Sequence, residues 1–175
     1  NRLYRIEEDT AEEGADTRSA DRFPLAANVV ALLENNNLSA ALEELGHTEA
    51  PAYAALAKRL APLLAATRVS VVDNLVNAKG ESLYGDAASD GSDIRIDRAK
   101  GLTTETLLHE AIHAATERTL QAGTFKRTLN ENVGVRELNS LWASVKASGI
   151  NMPGGSRDSL SEFVSEALTD AQFIA

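Results

Sequence analysis

No cysteine occurs anywhere in the 175 residues. That absence removes a disulfide framework, a thiol nucleophile and a thiolate metal site, and it leaves the redox compartment open. Aromatic residues are scarce, at 5%, while alanine and leucine are plentiful, a balance that favours helix over strand. There is no apolar run long enough to span a bilayer and no secretory core segment, so no membrane partner is expected. A basic block is missing too. Seventeen Lys and Arg stand against 26 Asp and Glu, for a formal charge of -9, and no nucleic-acid partner is expected of such a balance. Histidine is also rare. Of the three present, two fall within a single stretch, TLLHEAIHAA.

A chain of this length buries roughly 70% of the surface its unfolded form exposes, enough for a core without covalent staples. It begins at Asn1 rather than Met, as expected of a fragment or a processed product. Residues 1–22 are polar and acidic, with little apolar period, and are expected to form an arm or linker. Residues 23–66 are expected to form an N-terminal helical segment. Pro24 precedes a first helix with an Asn-rich stop, Ser39 can cap a short second helix that Gly46 ends, and a third follows Pro51 with Pro62 as a kink or break.

From about residue 67 the period changes. RVSVVDNLV is β-branched and bounded by turn formers, which predicts a buried strand. GESLYGDAASDGSD reads as loop. In SDIRID, Ile94 and Ile96 alternate with Asp93, Arg95 and Asp97, the pattern of a strand with one wet face, expected at a sheet edge. Thr103 or Thr104 can then cap a long helix with Glu105 in its first turn and Gly123 as its stop. Leu138, Leu141, Trp142 and Val145 mark a further amphipathic helix, and Ser159 with Glu162 forms a capping-box pattern at the start of a last one. The expected fold class is α+β and predominantly helical: a small twisted sheet packed on the long helix, preceded by the helical segment.

Positions four apart on a helix share one face. His109 and His113 can therefore aim their rings at one point, each offering a divalent cation one nitrogen. Glu110 projects to the adjoining side, where its carboxylate can reach a water on the metal without being a ligand. That is the physical content of H-E-x-x-H. A catalytic zinc site needs a third protein ligand. His47 lies far upstream in a Gly-His-Thr turn, and the helix continues HEAIHAATERT without another histidine. A downstream carboxylate is the better candidate. In SLSEFVSEALTD, Glu162, Glu166 and Asp170 recur at four-residue spacing on one face. One can ligate the metal while the next accepts the free N–H of a ligating histidine.

HEAIH followed by EFVSEAL resembles the zincin metallopeptidases that use a glutamate as third ligand. The likeness is greatest to the group with E-F-x-x-E-A-F, which includes the anthrax lethal factor catalytic domain, and to metallopeptidase domains embedded in large phage and mobile-element polyvalent proteins. The usual pattern there is T-x-x-T-L-x-H-E-x-x-H-A and then E-F-x-x-E-A-F-S-[ND]-x-x-F. This chain offers TTETLLHEAIHA and EFVSEALTDAQF. The resemblance covers residues from about Val69 onward and implies a zincin-like metallopeptidase domain over residues 67–175. It implies Glu162 as the zinc ligand with Glu166 beside a histidine. A thermolysin-like alignment would shift these roles to Glu166 and Asp170. Lethal-factor-type relatives place a tyrosine shortly before the ligand glutamate, whereas here the stretch is PGGSRDSLS. Tyr84 and Arg157 are the candidates to take its place.

The resemblance implies a zinc-dependent endopeptidase of phage-like kind with a polypeptide as substrate; a soluble chain is expected, and its compartment is left open, with a virion and a bacterial cytoplasm as the candidates. The substrate is expected to lie extended along Ile94, Arg95 and Ile96 as an added antiparallel strand. Two rivals stand beside this expectation: a metal-binding interaction module of a larger phage-type protein, and a protease that processes its own parent chain.

Overall fold

In the computed structural model of the chain, the structure describes residues 23–48, 51–125, 133–150, 152 and 154–169. The proposed arm at residues 1–22 and Asp170 lie outside the described residues. The rest is α+β and mostly helical. Helices α1 (Ala27–Glu34), α2 (Leu38–Thr48) and α3 (Pro51–Leu63) come first, then strands β1 (Arg68–Val72), β2 (Gly85–Ala87) and β3 (Asp93–Asp97). Helices α4 (Thr104–Phe125) and α5 (Val133–Ala147), a 3₁₀ turn at Gly154–Arg157 and helix α6 (Leu160–Thr169) complete the order. No helix among the described residues is long and apolar enough to cross a membrane.

The Asn-rich stop of α1 has a defined geometry. Asn36 adopts φ 55°, and the N–H groups of Asn36 and Asn37 return to the carbonyls of Leu33 and Leu32 at 3.0 and 2.9 Å. These are the two bonds of a Schellman ending, with the left-handed residue just past the helix. Asn37, not Ser39, caps α2: its Oδ1 accepts from the N–H of Ala40 at 3.2 Å, while the Ser39 hydroxyl donates to the carbonyl of Ala61. Gly46 lies inside α2 rather than ending it. A Cβ there would come within 2.7 Å of the Lys58 stem, so this glycine serves the close approach of α2 to α3. Helix α4 likewise runs past Gly123 to Phe125.

One apolar core joins the N-terminal helices to the rest. Leu33, Leu42, Leu45 and Leu64 from residues 23–66 are buried in the same cluster as Ile94, Ile96, Leu107, Leu108 and Ile112. The N-terminal helices therefore build the floor on which the sheet and α4 rest.

The sheet has the order β1-β3-β2, which corrects two expectations. The strand carrying Ile94, Arg95 and Ile96 is central, parallel to β1 on one side and antiparallel to β2 on the other. It has no free edge for a substrate. Its polar–apolar alternation has a different cause: Ile94 and Ile96 are fully buried against the helices while Arg95 points outward and pairs with Asp86. Alternation records which face is wet, not whether a neighbour is bonded alongside. The edge beside α4 belongs to β2, three residues inside the stretch expected to be loop. The other edge is β1, whose Val69 N–H donates to Asn36 Oδ1 at 2.7 Å.

Candidate metal centre

Helix α4 starts where the threonine pair predicts. Thr103 Oγ1 accepts the Thr106 N–H at 3.2 Å, which makes Thr103 the cap. From that start, Leu107, Leu108, Ala111 and Ile112 turn into the core. His109 and Glu110 are themselves 6% and 7% exposed, held at the helix's junction with the sheet. His113 follows one turn later, half-buried.

Helix α6 begins at a second cap. Ser159 Oγ accepts the Glu162 N–H at 3.4 Å, but the reciprocal half of the capping box is not made. The Ser159 N–H goes instead to the Gly155 carbonyl, and the Glu162 carboxylate turns toward α4. His109 Nε2 lies 3.5 Å from Glu162 Oε2, and His113 Nε2 lies 3.4 Å from Glu162 Oε1. The two Nε2 atoms are 3.0 Å apart. Hydrogen bonds from His109 and His113 hold the Glu162 carboxyl well below the usual carboxylate range, against the upward pull of its burial.

Among the described residues, His109, His113 and Glu162 form the one cluster of three potential metal ligands. Their spacing can be tested against coordination geometry. A tetrahedral cation with bonds of roughly 2.0–2.1 Å separates its donors by roughly 3.3 Å. The separations of 3.0, 3.4 and 3.5 Å fit that tetrahedron edge. Octahedral magnesium or calcium would give edges of roughly 3.0 and 3.4 Å, so distance alone does not choose the ion. The donors do. Two imidazoles with one carboxylate suit a divalent transition metal better than a hard cation that prefers oxygen.

The triad lies in a cleft of about 480 Å³. Residues 82–89 form one wall, and His109, Glu110, His113 and Glu162 line the other. Glu110 thus faces the same space as the ligands without joining them. Two glycines make room for the carboxylates. A Cβ at Gly85 would sit 2.8 Å from Glu110 Cγ and 3.1 Å from Thr106 Cγ2, and one at Gly155 would sit 3.0 Å from Glu162 Cγ.

Of the residues singled out in the sequence, the structure brings together His109, Glu110, His113 and Glu162. Glu166 is buried on α6, one turn beyond Glu162, and is not part of the cluster. Tyr84 lines the cleft, with the Lys100 ammonium 4.9 Å from its ring centroid. Arg157 is exposed on the 3₁₀ turn and does not line it. His47 is exposed on α2, away from the triad.

Sequence reasoning missed two participants. One is the β2 wall, whose Gly-Asp-Ala carries no strand propensity. The other is Ser161, whose Oγ lies 2.8 Å from His113 Nδ1. No sequence signal marks that serine, except that it adjoins Glu162. Compared with known protein families, curated proteins and solved structures, the chain matches none.

Proposed function

We propose that the protein is a zinc-dependent metallopeptidase with a zincin-like active centre. The observation that carries this reading is the convergence of two imidazoles and one carboxylate, 3.0 to 3.5 Å apart, on the wall of an open cleft, with a separate glutamate beside them. A purely structural site has no use for that extra carboxylate, and it is usually closed to solvent.

His109 Nε2, His113 Nε2 and a Glu162 oxygen would hold the ion. Bound there, zinc supplies Lewis acidity, which polarises a scissile carbonyl and brings the pKa of a water to roughly 7. Glu110 then acts as the general base. Its carboxylate takes the proton of the attacking water and passes it to the departing amine nitrogen. Its low exposure keeps it in a weakly screened setting, where its charge acts on the reacting atoms at short range.

The peptide lies along β2 rather than β3. The Tyr84 carbonyl accepts from the Asp97 N–H, and the Ala88 N–H donates to the Asp93 carbonyl, each at 2.8 Å. Bonding to β3 therefore falls on positions 84, 86 and 88, by the alternation of an antiparallel ladder. The backbone groups of Gly85 and Ala87 are left facing the open edge. An extended polypeptide can pair with them, which gives main-chain affinity and weak side-chain selectivity. We assign support of the carbonyl oxygen to Tyr84, because it lines the cleft whereas Arg157 does not.

The test is metal analysis of the purified chain together with cleavage of an unfolded polypeptide. The expected result is one zinc per chain and cleavage. Glu110→Gln should keep the zinc and cut at least about a hundredfold more slowly. Stoichiometric zinc with no cleavage of any unfolded substrate would favour the non-enzymatic module. Undiminished cleavage by Glu110→Gln would remove Glu110 from its role.

A further inference from the structure

We infer that Ser161 is a positioning residue for the metal centre, holding the His113 ring in the orientation in which its Nε2 can ligate. The inference rests on the metal-site reading above and adds a residue to it.

His113 is held at both ring nitrogens. Nε2 faces His109 and Glu162, at 3.0 and 3.4 Å, and Nδ1 faces Ser161 Oγ at 2.8 Å. A neutral imidazole has one N–H and one lone pair. It can give Nε2 to a cation only when its proton is on Nδ1. The Ser161 hydroxyl can accept that Nδ1–H, and it can donate to Nδ1 when the proton sits on Nε2, so it holds the ring in place in either form and accepts the Nδ1–H once a cation takes Nε2. In the other tautomer Nε2 carries the proton and points it into the triad, where it would repel a cation.

The serine and Glu162 reach opposite ends of the same ring because they are neighbours on a helix. Successive residues diverge by roughly 100° around the axis, so consecutive side chains straddle His113 instead of stacking on one side. The first turn of α6 fixes both at once. Ser159 anchors that turn through its hydroxyl to the Glu162 N–H and its carbonyl to the Phe163 N–H. Ser161 is 9% exposed, so water competes little for the contact. A hydroxyl also differs from the carboxylate that the sequence spacing suggested for this task. It orients the ring without adding charge, and so leaves the cation the full electron demand on its ligands.

The experiment measures zinc affinity of the full chain by competition with a chromophoric chelator, for the parent, Ser161→Ala and Ser161→Thr. Thermal unfolding of the zinc-free proteins runs alongside. Ser161→Ala should bind zinc about ten- to a hundredfold more weakly, with an unchanged zinc-free unfolding temperature. Ser161→Thr, which keeps the hydroxyl, should recover most of the affinity. Parent-like affinity in Ser161→Ala overturns the inference. A parent that binds no zinc overturns the metal-site reading itself, a separate result. As a second measurement, zinc-loaded parent protein should show a His113 Nδ1 proton protected from solvent exchange. A freely exchanging proton there equally overturns the inference.

Discussion

Glu110 and Gly85 face each other where α4 passes under β2, and the distance between them decides how the Glu110 carboxylate, the base of the proposed reaction, is aimed. Gly85 has no positive φ, so alanine there strains no backbone, but its methyl would meet Glu110 Cγ at 2.8 Å. Gly85→Ala should therefore retain zinc while hydrolysis falls by about a hundredfold, the cost of misplacing a reacting group by about an ångström. Metal content and turnover measured on the same sample check this, and unchanged turnover would show that Glu110 has slack. At this scale the sequence was legible where chemistry is intrahelical. His109, Glu110 and His113 form a local pattern whose geometry follows from the helix alone. Gly85 and Ser161 were not legible, because each acts on a residue of a different element and neither sits in a recognisable spacing.

Among elements, endings were legible in part: the Ser39 cap and the stops at Gly46 and Gly123 were misread, because an adjoining element or helix continuation took over there. The Asn-rich stop, the Thr103 cap and the Ser159 half of the capping box formed, since each depends on bonds within a few residues. Sheet position was misread because it depends on what else pairs. β3 alternates like an edge strand yet lies between β1 and β2, and β2 has no propensity of its own. Asn36 joins the two levels, closing α1 at φ 55° and capping the Val69 N–H on the outer edge of β1. Asn36→Ala forces a side chain without these compensations into the left-handed region and should cost about 2 kcal/mol. Asn36→Gly accepts that φ, loses only the bond to Val69, and should cost about 1 kcal/mol. Denaturant unfolding measures both, and equal losses would mean that the backbone conformation is not the limiting factor.

For the whole molecule, acid is the informative stress. Asp97, 2% exposed, ends β3 and ties down two turns. Burial pushes its carboxyl upward, but N–H groups of Leu75, Ala99 and Lys100, with the Lys100 charge, outweigh that and hold it below its ordinary 3.8. A group lowered on folding stabilises the native state above its unfolded value, and this contribution is lost as pH falls through the folded value. Stability should therefore be fully present above about pH 4 and decline on further acidification. Asp97→Asn should be less stable than the parent at pH 6 but lose less between pH 6 and pH 3. Chemical denaturation in chelator at the two pH values decides it, and parallel losses in both proteins would exclude Asp97 as a source of acid sensitivity.

The order of the ligands along the chain has its own effect. His109 and His113 are made before Glu162, which arrives with the last of the described helices. A growing polypeptide thus carries two candidate ligands, with Glu110 between them, before the third exists. Under the proposed peptidase reading, cleavage of unfolded neighbours on the same polysome would wait until the third ligand is made and folded against α4.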